Sequence, residues 1–533
     1  MKRWQHVNGI YQIYPRSFKD SNGDGTGDLP GIIEKLDYIK SGNATLGIDA
    51  IWLSPFYPSP MADFGYDVAD YKNVDPMFGT LDDFKRLLSE AHARDIKVMI
   101  DFVPNHTSDE HEWFQESKTS RASAKRDWYI WRDPKADGSP PNNWLSVFGG
   151  SAWEYDTASG QYYLHSFLAK QPDLNWDNPE VRATMCDVLR FWLDMGVDGI
   201  RADAVRWISK DPAYQNNPLN ADFAEGDDPY FTQRQKYSRY GENLFAYLKE
   251  MSNVIEEYDD RIILFEDYPD PWIDLKSQYS HFYAVNPRVA APFNFEGFGT
   301  PYSAKHFRSF VNKFQTYIGS EERPFYCFGN HDNPRLVSRI GRPQAKLIGM
   351  LQLTLPGTPV IYYGDEIGME NVPIAPEYVH DPFEKQTPGL GLGRDPERTP
   401  MQWSAQPHAG FTSGEPWLPV ANNYSLTNVE TEFGDSGSFL RMYHALLKLR
   451  RLSVLRFGTY EEWMGSNDQL YGFFREDTKG ALFVLLNMSA EPVAYNGDIF
   501  GLVLYSTHAM QAQTIDGPMT LQAHQGIIID CSI

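Results

Sequence analysis

Short strand-like runs alternate with amphipathic helical runs along most of this chain, and no other feature limits its fold as strongly. Ile10–Tyr14, Ala50–Leu53, Lys97–Ile100, Gly199–Ala202, Arg261–Leu264, Pro324–Cys327 and Val360–Tyr363 read as buried strands. Between them lie helical stretches such as Leu81 to about Arg94. Another follows Asn178-Pro179, where Val181, Met185, Val188, Leu189 and Trp192 share one helical face and Gly196 ends the run. Repeated β-then-α units imply a parallel sheet, and about eight of them imply closure into a barrel. An eighth strand is expected around Ala291–Phe295, where the pattern is weak. The fold class is therefore α/β, a (β/α)8 barrel.

Two stretches break the rhythm. Residues 103–170 are polar, carry Gly and Pro, and follow the third strand. That excursion far exceeds the ~12–15 residues of a plain loop, so it reads as an inserted subdomain. Asp365 to Gly414, after the last barrel strand, is also irregular and rich in Pro, Gly and charge. Beyond a final helix from Ser438 to about Leu449, the runs Leu470–Phe474, Ala481–Leu486 and Gly526–Ile529 read as strands only. The expected organisation is a catalytic barrel over 1–102 and 171–455, an insertion over 103–170, and a C-terminal β-sandwich over 456–533. A chain of 533 residues is too long for one ordinary domain and suits a barrel with additions.

The formal charge of −23 repels phosphate backbones and anionic lipid, which excludes nucleic acid and membrane surfaces as expected partners. Cys186, Cys327 and Cys531 have no spacing that makes a disulfide framework or a zinc set. Met1–His6 lacks the ~7–15-residue apolar stretch of a secretory signal, and no run reaches the ~18–20 apolar residues of a membrane helix. A cytoplasmic, monomeric or small homo-oligomeric protein is expected. Aromatics make up 14% of the chain, which favours a ligand with apolar ring faces, such as a sugar.

Barrel enzymes carry their working groups at the C-terminal ends of the strands. Those positions here hold Asp101, Arg201 with Asp203, Glu266, and His331 with Asp332. Several carboxylates on one mouth, with an arginine beside one of them, suit acetal hydrolysis. One carboxylate attacks the anomeric carbon, one acid protonates the departing oxygen, and a third polar group holds the sugar as positive charge develops. Arg201, two residues before Asp203 on one strand face, is expected to keep that carboxylate ionised.

The strings around these residues carry a resemblance. Asp101–His106 (DFVPNH), Gly199–Asp203 (GIRAD) and Phe328–Asp332 (FGNHD) resemble three signature regions of the α-amylase superfamily, glycoside hydrolase family 13. Gln171–Trp176 (QPDLNW) is similar to the marker of its oligo-1,6-glucosidase branch, which includes α-glucosidases, dextran glucosidases, sucrose isomerases and trehalose synthases. The likeness runs in order from about Tyr11 to Trp403. It implies Asp203 as nucleophile, Glu266 as acid/base and Asp332 as transition-state stabiliser. It further implies His106 and His331 as donors to sugar hydroxyls. One departure stands out: the family usually has glycine before the acid/base glutamate, and this chain has Leu264-Phe265-Glu266-Asp267.

The same resemblance implies that Asp63 and Tyr66 close the far side of a terminal-glucose pocket, with Tyr66 stacking on the sugar and Asp63 binding its distal hydroxyls. It implies that Arg398 bridges to Asp63, so that the pocket is a dead end, and that Phe148 lines it. Asp20–Asp28 (DSNGDGTGD) alternates oxygen side chains with glycines, as does the first half of an EF-hand loop, but lacks the closing glutamate. The branch carries a structural Ca2+, sometimes Mg2+, on this string. That implies Asp20, Asn22, Asp24, the Thr26 carbonyl and Asp28 as ligands. In this branch, the residue after the nucleophile tends to be valine in α-1,6-selective enzymes and threonine in α-1,4-selective ones. Ala204 stands there, which implies relaxed linkage preference. The expected activity is that of a retaining, exo-acting α-glucosidase on short oligosaccharides. The alternative is an isomerase or transglucosylase in which a sugar hydroxyl replaces water.

Overall fold

The structure is a computed structural model and describes residues 4, 7–42, 45–319, 322–465, 467–509 and 513–532. Most of the stretch from Met1 to His6 therefore lies outside the described residues. Eight parallel strands form the central sheet: β1 Ile10–Ile13, β2 Ala50–Leu53, β3 Lys97–Phe102, β4 Gly199–Ala202, β5 Ile262–Phe265, β6 Ala290–Pro292, β7 Phe325–Cys327 and β8 Thr358–Tyr362. Hydrogen bonding runs β7-β8-β1-β2-β3-β4-β5-β6, and a parallel bridge between Asn294 and Tyr326 closes the ring. The chain thus forms a (β/α)8 barrel. Its strands are buried on both faces, as a parallel sheet wrapped in helices requires. The weakly marked strand is only three residues long and ends in Pro292, which cannot donate a ladder hydrogen bond.

The helices follow the sequence pattern. Leu81–His92 starts at a Thr80/Asp83 capping box and buries Phe84, Leu87, Leu88 and Ala91. Pro179–Met195 is capped by Asn178 and stops at Gly196, whose φ of +111° suits a residue without Cβ.

After β3 the chain makes the helix Glu112–Lys118 and a three-stranded antiparallel sheet of Trp131–Arg132, Gln161–Leu164 and Trp153–Asp156. A second excursion, between Ala202 and Leu244, carries only short 3-10 turns over Val205–Trp207 and Pro229–Thr232. No hydrophobic period marks it along the chain. At the C-terminal end, a six-stranded antiparallel sheet faces a two-stranded one, Val493–Tyr495 with Met519–Leu521. Phe483, Leu485, Ile527 and Ile529 from the first sheet pack with Val493, Tyr495 and Leu521 from the second. Among the described residues no helix is long and apolar enough to cross a membrane.

Candidate active site

The barrel register assembles the charged centre. Asp101 on β3 pairs directly with Arg201 on β4, and Ala202 pairs with Phe265, the residue before Glu266. Arg201 is fully buried and meets three carboxylates at once. Its Nη1 lies 2.6 Å from Asp203 and 3.2 Å from Asp101, and its Nη2 lies 2.6 Å from Glu266. The other Glu266 oxygen accepts the Ala204 N–H at 2.8 Å. Phe265 points away from this centre and packs on Phe282 of the helix Leu275–Val285. The bulk that replaces the family's glycine is therefore absorbed in the helix layer.

One guanidinium cannot fully offset three carboxylates. Burial, together with Glu266, Asp101 and Asp332, pushes Asp203 well above the ordinary carboxylate range against the pull of Arg201. Arg201 pairs with Asp203 and favours its ionised form, and it shares that charge with Asp101 and Glu266. Burial raises Asp101 to about 6, with Arg201, Tyr66 and Trp52 opposing. Asp332 differs. Burial pulls it upward, but His331, Arg398 and Arg394 together hold it below its usual range.

These groups open into a cavity of about 380 Å³. Asp63, Tyr66, His106, Phe148, Asp203, Glu266 and Asp332 all line it, whereas Arg201, His331 and Arg398 lie behind its wall. Tyr66 stacks on His331 at 5.4 Å between ring centres, and its hydroxyl donates to Asp101 at 2.8 Å. His331 is 1% exposed, with Nδ1 at 2.7 Å from Gln12 and Nε2 at 2.6 Å from the Tyr66 hydroxyl. Both ring nitrogens are engaged inside the protein, and His331 braces Tyr66 from behind the wall. His106 remains on the wall, and burial lowers it to about 4, so it is neutral near pH 7. Gln171, from the QPDLNW string, bridges His106 and Asp63 at 3.1 Å each.

The arginine that closes the far side is Arg394. Its Nη2 sits 2.8 Å from Asp63 and 2.7 Å from Asp381, its Nη1 sits 3.2 Å from Asp332, and its guanidinium lies over the Phe148 ring at 4.9 Å. Arg398, expected to bridge to Asp63, instead pairs with Asp332 at 2.8 Å and donates to the His331 carbonyl at 2.7 Å. The two arginines flank one 3-10 turn, Asp395–Glu397, and the turn aims them at different carboxylates.

Sequence reasoning missed the aromatic wall. Phe167 comes from the insertion, Trp207 and Phe231 from the excursion after β4, Tyr268 from the loop after β5, and Phe383 from the irregular stretch after β8. Single aromatics in loops have no periodicity to reveal them. Asp267, the neighbouring carboxylate, is not on this wall. It is buried against Arg206 at 2.9 Å and the Tyr240 hydroxyl at 2.6 Å.

The Asp20–Asp28 loop folds on itself. Asp20 accepts the N–H groups of Asn22, Gly23 and Gly25, Asn22 accepts that of Asp24, and Asp24 that of Thr26. Asp28 accepts from Ser21 and caps the helix Leu29–Glu34 through Gly31. Among the described residues no three His, Cys, Asp or Glu side chains gather as a metal set. A cation here has to be held by the mixed set, Asn22 and the Thr26 carbonyl included. All its donors are oxygens, which suits a hard ion.

A dead-end cavity at the C-terminal mouth of a parallel barrel, with clustered carboxylates on its floor and aromatics on its sides, defines a glycoside hydrolase. Residues 12–458 match the family described as "Alpha amylase, catalytic domain", and the chain belongs to that family. It is 41% identical over 541 residues to an oligo-1,6-glucosidase of Heyndrickxia coagulans, covering 93% of this chain and 94% of that one. The fold superposes on the α-glucosyl transfer enzyme XgtA with a TM-score of 0.91 at 39% identity, covering 99% of both chains. It also matches the trehalulose synthase MutB of Pseudomonas mesoacidophila MX-45, with a TM-score of 0.88 at 37% identity and 99% coverage of each.

Proposed function

We propose that this protein is a retaining, exo-acting α-glucosidase that removes terminal α-linked glucose from short oligosaccharides. The observation that carries the reading is the closed end of the cavity, where Arg394 ties Asp63, Asp332 and Asp381 together behind the floor carboxylates. A chain cannot run through such a pocket, so only an end unit fits. In this reading Asp203 attacks the anomeric carbon while Glu266 protonates the departing oxygen. A covalent β-glucosyl-enzyme results, and Glu266 then takes the proton of the incoming water. Asp332 and Asp63 hold ring hydroxyls, with neutral His106 on the wall beside them. Incubation with maltose, isomaltose, sucrose and trehalose tests this: glucose should appear from at least one of them, first as the α-anomer. Release of β-glucose first overturns retention.

A second reading has support in the likeness to a glucosyl transfer enzyme and to a trehalulose synthase. In it a sugar hydroxyl replaces water, and the same incubation at high sugar concentration yields rearranged or longer saccharides instead of free glucose.

Ala204 borders the cavity beside both working carboxylates and has a left-handed backbone, with φ +48° and ψ +35°. Its small side chain supports relaxed linkage preference. Ala204→Val should shift kcat/KM toward isomaltose over maltose, kojibiose and nigerose, within the ~10–200-fold that one pocket contact commands. It should also lower stability by about 1–2 kcal/mol, because a β-branched residue is strained in that backbone region. Thermal unfolding read alongside the four kcat/KM values separates the two effects.

The Asp20–Asp28 loop is proposed to hold a structural Ca2+ or Mg2+ through Asp20, Asn22, Asp24, the Thr26 carbonyl and Asp28. When bound, the ion ties the loop ahead of the Leu29–Glu34 helix and contributes no group to the reaction. Excess chelator should lower the melting temperature without reducing kcat at a temperature where the protein stays folded, and added Ca2+ should reverse the shift. An unchanged melting temperature with no ion bound, by elemental analysis of the purified protein, overturns the site.

A further inference from the structure

Behind the closed end of the glucose pocket, two guanidinium groups and a tryptophan surround one phenylalanine. Phe64 follows Asp63 and precedes Tyr66 by two residues, and both of those line the pocket. The Arg16 guanidinium lies 5.3 Å from the Phe64 ring centre, and that of Arg398 lies 5.9 Å from it. Trp417 packs against the same ring at 5.5 Å and covers Arg16 at 4.7 Å. Neither Phe64 nor Trp417 lines the cavity itself. We propose that Trp417 is a positioning residue: acting through Phe64, it fixes the turn that presents Asp63 and Tyr66 to the terminal glucose. The inference rests on the α-glucosidase reading and deepens it by naming what holds the glucose-binding wall from behind.

The backbone of that turn needs holding. Met61, Phe64 and Gly65 are all left-handed, with φ of +62°, +50° and +104°. For Met61 and Phe64 this region is unfavourable, so their surroundings must impose it. A Cβ at Gly65 would meet Pro55 at 3.2 Å, so the turn is also tightly seated. On the pocket side Arg394 and Gln171 hold the Asp63 carboxylate, and Asp67 accepts the N–H groups of Ala62 at 2.8 Å and Asp63 at 2.9 Å. At the rear, the Phe64 ring is the handle.

Arg16 shows that this handle is gripped by charge as well as by packing. Its Nε and Nη1 are buried without a hydrogen-bond partner. Leaving such donors unpaired is costly, and here the negative faces of the Phe64 and Trp417 rings offset the cost. Trp417 is itself anchored at two points. Its backbone N–H donates to the Gly25 carbonyl at 3.0 Å, and its indole N–H donates to the Ser17 hydroxyl at 3.0 Å. Ser17 in turn donates to the Arg398 carbonyl, and Arg398 pairs with Asp332 at 2.8 Å. One tryptophan from a distant segment thus supports the turn that carries Asp63 and the arginine that holds Asp332. A wall fixed before the sugar arrives lowers the cost of binding it.

The test measures kcat and KM separately on nitrophenyl α-glucoside and on each disaccharide cleaved. Trp417→Leu keeps apolar bulk but removes the indole face. It should raise KM by about 3–20-fold, the range of one aromatic or cation–π contact. The factor should be the same on every substrate, because the terminal glucose is common to all of them. The change in kcat should stay within about twofold, since Asp63 and Tyr66 grip the glucose before and during the reaction alike. Trp417→Phe, which keeps a flat ring, should retain most of the affinity. Phe64→Leu should raise KM as Trp417→Leu does, and the double variant should do no worse than the worse single one, because both act through one stack. Should Trp417→Leu not fold, Phe64→Leu set against Trp417→Phe makes the same comparison. An unmoved KM in the leucine variants, a loss confined to kcat, or factors that multiply in the double variant overturns the inference. A wild type inert on the aryl glucoside overturns the α-glucosidase reading and this inference with it. An active wild type whose KM ignores both leucine substitutions overturns the inference alone.

Discussion

Asp203→Asn should lower kcat by roughly 10⁴–10⁶ on every α-glucoside while the protein stays folded. Asparagine keeps the side-chain shape, and the backbone N–H of residue 203 still bonds to the Phe102 carbonyl at 2.8 Å. What is lost is the carboxylate that, once ionised, attacks the anomeric carbon. Stability should not fall and should respond to pH in a definite direction. Burial and three neighbouring carboxylates raise the pKa of Asp203 in the folded protein, so the native state holds a proton that the unfolded chain releases near the ordinary aspartate value. The wild type therefore loses stability as pH rises from that unfolded value through the raised one, whereas the asparagine variant does not. The melting-temperature difference, variant minus wild type, should grow with pH across that window. Near-wild-type kcat on nitrophenyl α-glucoside removes Asp203 from the mechanism, and a difference that shrinks with pH contradicts the charge balance of the cluster.

Glu266→Gln should separate substrates by leaving group. Maltose and other sugar leaving groups need a proton on the departing oxygen, and loss of the acid should reduce their kcat/KM by about 10²–10⁴. Nitrophenolate leaves without help, so cleavage of nitrophenyl α-glucoside should fall much less in its first step, and added azide should intercept the intermediate when base assistance is missing. Asp267→Asn is the contrasting variant. Asp267 is buried against Arg206, Tyr240 and Gln278, so its change leaves the buried guanidinium with only the more distant Asp270 as a charged partner, a loss of up to about 3–5 kcal/mol when such a pair is broken. Its effect should fall on stability and equally on both leaving groups. If instead Asp267→Asn discriminates between leaving groups and Glu266→Gln does not, the acid has been assigned to the wrong neighbour.

Both contrasts arise where one residue follows another along the chain but the structure gives them separate surroundings. Glu266 and Asp267 are adjacent carboxylates, and the alternation of a strand end sends one into the cavity and the other into the loop network. Arg394 and Arg398 are a similar pair. A resemblance of strings picked the arginine four residues away from the one that meets Asp63, because the turn between them has no period from which direction can be read.

The sequence by itself determined the barrel, the helices that wrap it, and which residues end the strands. Those features depend on repeated local pattern: apolar runs of strand length, helical spacing, a capping box at Thr80 and a stop at Gly196. It also determined that Asp101, Arg201, Asp203 and Glu266 share one mouth, since strand-end position in a parallel barrel fixes that. Only the tertiary structure decided that Arg201 is divided among three carboxylates, that His331 braces Tyr66 from behind the wall, and that Arg394 seals the pocket. It alone brought Phe167, Trp207, Phe231, Tyr268 and Phe383 around the sugar site from four separate excursions. Charge sharing and cavity walls are set by distances through space between segments far apart in the chain. The loops that bring those segments together have no repeating hydrophobic signal, so the sequence names the residues without saying which of them meet.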